Sequence, residues 1–263
     1  MNDIHAFSTK AVTKKARPNL GRLARRLGAI AVFSALSLNT AVAAPLDLAA
    51  FAERLPEQGE VHLLLFNGEQ SDGAMRLGWR REGAALQLFD RTQMPSAEVF
   101  EAYQASLDAT SLQAQSVSIQ FYSGLNTMHI DYDRVRDPAV LKRQISHPTS
   151  GSRQSDIALE MAPGTLLRAM SFVLPLVDTS PVGETISYVW FAPMAANPLQ
   201  EVSLHVKEGG LVDSPEGAIE ALRYELRGAS PENDIYVSKE TPRRLLKIDV
   251  LGTALQFRLP TSP

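Results

Sequence analysis

An imidazole and two carboxylates alternate in His129-Ile-Asp131-Tyr-Asp133, and a strand's period of two would put all three on one face, where they could hold a divalent cation. Alternating polar residues are also what the solvent face of any strand shows. A metal site further needs other ligands and a fixed set of groups behind them, and the sequence supplies neither here. His62 and His205 sit inside apolar runs, Val61-His62-Leu63 and Leu204-His205-Val206, and read as sheet-face histidines. His147 adjoins Pro148 in a polar stretch and reads as solvated. Acidic pairs such as Asp131/Asp133 and Glu216/Glu220 raise glycosidase chemistry, which needs two carboxyls set across a cleft, but the spacing places no cleft. The chain carries no Gly-x-Ser-x-Gly elbow, no His-Glu-x-x-His, no Gly-Lys-Ser/Thr phosphate loop and no Gly-x-Gly-x-x-Gly. With no cysteine it has no thiol nucleophile and no disulfide. We therefore assign no catalytic residue, no metal and no cofactor from the sequence.

What remains is an aromatic and apolar set suited to binding. Trp79 and Trp190, with Leu166, Leu167, Met170 and Phe172, are the candidate ligand-binding residues. The same side chains also suit the core and rim of a sheet. A curved sheet with an apolar concave face can hold either its own side chains or a guest.

Most of the chain reads as short alternating strands bounded by turn residues. Residues 60–67, 74–81 and 85–90 come first; Met75, Leu77 and Trp79 share a face, and Glu82-Gly83 turns the second run into the third. Residues 115–122 and 127–132 form a second hairpin across Gly124. Later strands fall at 185–191, 200–206, 218–226, 234–238, 245–250 and 254–259, with a turn expected at Glu208-Gly-Gly210. Helices are expected over 46–55, which stops at Pro56, over 98–107, and over 163–174, the longest apolar run of the mature chain. Residues 146–156, rich in Ser and Gly without periodicity, read as a surface loop. Residues 137–145 begin like a helix at Asp137-Pro138 but are too short to decide.

The first 43 residues read as an export signal. A basic leader ends at Arg25-Arg26, an apolar run of about 12 residues follows, and Ala41-Val-Ala43 fits an A-x-A cleavage site. The run is too short to span a bilayer, which takes roughly 20 residues. A lipid-modified cysteine after the signal is excluded. The leader holds seven Lys and Arg and one Asp, so its removal leaves 19 basic and 28 acidic residues and moves the formal charge from −3 to −9. That balance argues against nucleic acid and against an anionic membrane surface. Residues 44–263 then form one β-rich domain in the periplasm or secreted, with no membrane span.

Short motifs add a resemblance. Leu86-x-Leu-x-Asp90-x-Thr92-x-Met94-Pro95, Leu107-Asp-Ala-Thr-Ser-Leu112, Gly164-Thr-Leu-Leu-Arg-Ala-Met170 with Leu174-Pro-Leu176, and later Val202-x-Leu-x-Val206, Asp213-x-Pro215-x-Gly217 and Leu245-Leu-Lys-Ile248 resemble a widespread family of exported bacterial proteins of unknown function, over residues 60–259. The resemblance implies a strongly curved antiparallel sheet or half-open barrel with a few short helices packed on or in it, similar to the lipoprotein-localisation factors that carry acyl chains. It also implies extended strands across 137–145. No residue role comes with it. The expected function is a non-catalytic binder or carrier of a hydrophobic or acyl ligand, with Leu166, Leu167, Met170 and Phe172 on a helix gating the concave face. The alternatives are an assembly partner protein in the cell envelope and a hydrolase with an unrecognised site.

Overall fold

A computed structural model describes residues 46–135, 138–228 and 230–260; the expected signal peptide lies outside them. A short helix, α1 (Leu48–Arg54), precedes eight strands: β1 (Gln58–Asn67), β2 (Gln70–Glu82), β3 (Ala85–Met94), β4 (Val99–Asp108), β5 (Ala114–Ser123), β6 (Asn126–Asp133), β7 (Val140–His147) and β8 (Gly151–Ala158). A three-residue strand, β9 (Thr165–Leu167), leads through a 3-10 turn (Arg168–Phe172) into α2 (Leu174–Val177). Six strands finish the chain: β10 (Thr185–Phe191), β11 (Leu199–Ser214), β12 (Gly217–Arg227), β13 (Asn233–Ser238), β14 (Leu245–Val250) and β15 (Leu255–Arg258).

All fifteen strands belong to one sheet. From β1 the chain meanders outward to β8 at one edge, reappears at the opposite edge as β9, and meanders back until β15 pairs with β1. Every pairing is antiparallel except β9 with β10. This order forces curvature. Flat, fifteen strands would span about 67 Å at ~4.8 Å per neighbour. Yet only residues 159–164 separate the two edge strands, and a fully extended chain covers at most ~25 Å between Ala158 and Thr165. The sheet therefore curls until its edges approach, without a ladder joining β8 to β9 among the described residues. It is a half-open barrel, as the family resemblance implies.

Two further contacts draw the ends together. Arg143 of β7 donates from Nε to the Pro193 carbonyl at 2.9 Å and from an Nη to that of Ala195 at 2.6 Å, both just past β10. Tyr132 of β6 meets Phe191 of β10 ring to ring at 5.3 Å. One continuous core runs along the inner face from Leu63 and Leu77 through Leu107, Ile119 and Tyr132 to Leu204, Tyr224 and Ile248, and includes Phe51 of α1 and the 166–174 segment.

Local chemistry accounts for the elements. The Asp47 side chain caps α1, accepting from the Ala49 and Ala50 amides at 3.1 Å each. The two-residue hairpin loops Gly68-Glu69, Gly83-Ala84 and Gly124-Leu125 each open on a glycine with φ of 63°, 63° and 55°, the first central position that a type II′ turn reserves for glycine.

Four expectations are corrected. Residues 99–107 belong to β4, not to a helix, with Glu98 in the turn before it: Tyr103, Ala105 and Leu107 alternate onto the core, and pairing with β3 and β5 overrides the helical spacing of Val99, Phe100, Tyr103 and Leu107. Residues 163–174 are a turn, a strand, a 3-10 turn and the start of a one-turn helix, buried from Thr165 onward except at Arg168, so their unbroken apolarity carried no period. Residues 146–156 are mostly the β7–β8 hairpin; β8 is exposed almost throughout, and a strand wet on both faces shows no apolar alternation. The Glu208-Gly-Gly210 turn is instead a bulge within β11, where a Cβ on Gly209 would stand 2.8 Å from the Ala221 carbonyl oxygen; the chain reverses at Pro215-Glu216. Within the undecided 137–145 segment, β7 begins at Val140, the extended form the resemblance implies.

Candidate functional site

The candidate ligand residues separate into three places. Trp79 lines a cleft of about 610 Å³ between α1, α2, β1 and the chain before β14. Phe172 and Trp190 line a different, smaller cavity of about 200 Å³ inside the barrel. Leu166, Leu167 and Met170 line neither; all three are buried in the main core.

The Trp79 cleft is built by a missing side chain. Gly59 lies opposite Trp79 in the β1–β2 ladder, and a Cβ on Gly59 would fall 2.1 Å from the indole Cζ2. The ring therefore lies flat over the glycine, and its Nε1 donates to the Pro56 carbonyl at 3.1 Å. Val61, Leu176, Val177 and Leu259 complete the apolar wall.

Charged groups ring this wall, and their partners differ. Glu60 is bound by Arg76 through two contacts of 2.6 and 2.8 Å, and hydrogen bonding to that guanidinium holds its carboxyl below the ordinary range. Arg244 is held by Glu216 through two contacts of 2.8 Å. Arg54 and Arg243 instead donate to neutral oxygens. Arg54 Nε reaches the Val177 carbonyl at 3.0 Å. Arg243 reaches the carbonyls of Pro175 at 3.1 Å and Asp178 at 2.6 Å and the Tyr224 hydroxyl at 2.8 Å. Neither guanidinium has an ion-pair partner among the described residues. The Tyr224 hydroxyl in turn donates a hydrogen bond to Asp178 Oδ2 at 3.0 Å, which ties α2 to the sheet beneath it.

No protein-family model matches the chain, and no curated relative does. Among solved structures, the chain is similar to the crystal structure of a beta-barrel-like protein of domain of unknown function DUF1849 from Brucella abortus, at 10% identity and a TM-score of 0.42, over 79% of this chain and 97% of that one.

The histidine and carboxylates of β6 do not converge on one site: Asp131 and Asp133 line a shallow pocket of about 510 Å³ with Lys142, and His129 does not join them. Ile130 and Tyr132 turn inward, leaving His129, Asp131 and Asp133 on the opposite face. Asp131 accepts from the Ser118 hydroxyl at 2.9 Å and Asp133 from the Val135 amide at 2.9 Å. No group of three potential ligands that could hold a metal ion exists among the described residues. His205 is held by Thr185 and Ser203, at 2.9 and 3.1 Å, and His62 by Glu60 at 3.2 Å.

Sequence reasoning missed Arg54 and Arg243 at the cleft and Asp90, Glu101, Tyr103 and Arg168 at the inner cavity. The arginines left no local signal, since chain segments far apart in sequence bring them together. Asp90 did leave one: in β3 it continues the inward series of Leu86 and Leu88, both buried, and a carboxylate on an apolar face marks either a partner or a site.

Proposed function

We propose that the mature chain works outside the cytoplasm, in the periplasm or secreted, as a non-catalytic binder or carrier of a hydrophobic ligand with an acidic head, such as a fatty acid. The leader sequence supports the compartment. The cleft beside Trp79 supports the ligand, and one observation carries the reading: an apolar-walled cleft whose two guanidiniums, Arg54 and Arg243, lack carboxylate partners among the described residues. An acyl chain would lie against Trp79, Val61 and Leu176, and its head would supply the missing negative charge. No helix among the described residues is long and apolar enough to cross a membrane.

The experiment is organic extraction of the purified mature protein followed by mass spectrometry, together with titration of cis-parinaric acid read through energy transfer from tryptophan. The expected result is a co-purifying acidic lipid and saturable transfer that Trp79→Ala abolishes. Transfer unchanged in Trp79→Ala, or an extract without lipid and no saturation, would overturn the reading.

A further inference from the structure

The 200 Å³ cavity is separate from the Trp79 cleft and has a different chemistry. Its walls come from β3, β4, β5, β10 and the 3-10 turn before α2, and residues 192–195 help to cover it. Two polar atoms in it are buried without a hydrogen-bond partner among the described residues: the Tyr103 hydroxyl and the Trp190 Nε1. Their side chains are only 4% and 1% exposed. A buried donor left unpaired is disfavoured, and folded proteins rarely leave two together without a reason.

Charge sits beside them. Asp90 is paired across the ladder with Tyr103 and accepts from Thr92 Oγ1 at 3.1 Å. Burial pushes its carboxyl up to about 7, and Glu101 pushes the same way, against Arg168 and the Thr92 hydrogen bond. Glu101 and Arg168 are half-buried walls of the same cavity. Arg168 makes no ion pair within bonding distance among the described residues. The cavity thus holds two carboxyls against one guanidinium, plus two donors that lack an acceptor.

One small molecule can answer both needs. An ammonium between Asp90 and Glu101 would supply the missing positive charge. A carboxylate of the same molecule would accept from Trp190 Nε1, Tyr103 and Arg168. Ile119, Ala169 and Phe172 leave an apolar wall for a side chain. Cavities of about 150 Å³ take a benzene-sized guest, so this volume suits eight or nine non-hydrogen atoms. We propose that this cavity is a binding site for a small apolar α-amino acid, held by its ammonium on Asp90 and Glu101 and by its carboxylate on Tyr103, Trp190 and Arg168. The proposal does not depend on the acyl cleft.

The test uses the whole mature chain carrying Trp79→Phe, so that Trp190 alone reports. L-valine is titrated by fluorescence and calorimetry beside its two halves, isobutylamine, which lacks the carboxylate, and 3-methylbutanoate, which lacks the ammonium. L-valine is expected to saturate at a 1:1 ratio, with each half binding at least about tenfold more weakly, the worth of one good charge-assisted contact. Tyr103→Phe is expected to stay folded with unchanged thermal stability and to weaken L-valine about tenfold, and Glu101→Gln to weaken it as well. Equal binding of either half, wild-type affinity in Tyr103→Phe, or no saturation by L-valine at millimolar concentration, the result for a cavity that holds only water, would each overturn the proposal.

Discussion

The ring of Tyr132 meets that of Phe191 edge-on, centroids 5.3 Å apart and planes inclined by 62°, although ten strands lie between β6 and β10 in the sheet order. Hydrogen-bonded pairing cannot account for this contact, because the ladder runs the long way round. Side chains close what the backbone leaves open, and Arg143 does the same one strand further out. A barrel sealed this way keeps a seam where β8 and β9 stay unpaired, and the inner cavity lies close to that seam through residues 192–195.

Removing either ring should therefore loosen the seam more than an average core position. Phe191→Ala is expected to destabilise by about 3–5 kcal/mol, as large-to-small changes at buried aromatics do. A double-mutant cycle with Tyr132→Leu should return a coupling of about 0.5–1.5 kcal/mol for the edge-on pair. Urea unfolding of the four proteins measures both values, and additive changes would show that the rings do not cooperate.

Gly59 and Trp79 offer a test of the cleft that displaces the indole without removing it. Gly59 does not have a left-handed backbone, so Gly59→Ala adds no backbone strain; its methyl simply takes the space of the indole. The indole must swing away and release the Pro56 carbonyl. Expected are a red-shifted Trp79 emission in a Trp190→Phe background, a stability loss of about 1–3 kcal/mol from overpacking, and weaker binding of cis-parinaric acid.

How much of this was legible in the sequence depends on what each residue faces. Val117, Ile119 and Phe121 alternate cleanly because one side of β5 meets the core and the other meets water. In β4 the inward set is Glu101, Tyr103, Ala105 and Leu107, so a small residue and a charged one broke the apolar rhythm, while Val99, Phe100, Tyr103 and Leu107 mimicked a helix. That misreading also hid the inner cavity, since Glu101 and Tyr103 face it only if β4 is a strand. In the 163–174 segment, nearly continuous burial from Thr165 to Leu174 erased any period. Trp79 and Trp190 were legible as candidates by type alone, but only the ladder shows that they serve different cavities.

Two tyrosines separate a hydroxyl that holds structure from one that does not. Tyr224 is buried, with its hydroxyl between Asp178 and Arg243, and burial together with the Asp178 carboxylate pushes its ionisation up. Tyr224→Phe leaves Asp178 and Arg243 each short of a partner and should lower stability by about 1–3 kcal/mol. Tyr103→Phe removes a hydroxyl with no partner among the described residues, so it should be neutral or slightly stabilising without ligand. Thermal unfolding of the two variants side by side checks the contrast; equal losses would mean that the Tyr103 hydroxyl is satisfied in solution.

Asp90 gives a pH dependence whose sign is fixed by burial. Its carboxyl titrates at about 7 in the folded chain against an ordinary 3.8, and the groups around it are Glu101 and Tyr103 from β4, Thr92 on its own strand and Arg168 from the 3-10 turn. Between those two values the folded chain holds a proton that the unfolded chain has lost. Stability from this group is therefore highest at acid pH, falls as pH rises from about 4 to about 7, and is level above that. At 1.36 kcal/mol per unit the fall amounts to about 4 kcal/mol. Asp90→Asn keeps an acceptor for Thr92 and cannot ionise, so the variant should gain on the wild type by about that amount between about pH 4 and pH 8. Urea unfolding at the two pH values measures the difference directly. A constant difference would mean that Arg168 and Thr92 offset the burial and hold the carboxyl near its ordinary 3.8 in the folded state, so that the Asp90 side of the cavity is negatively charged at neutral pH.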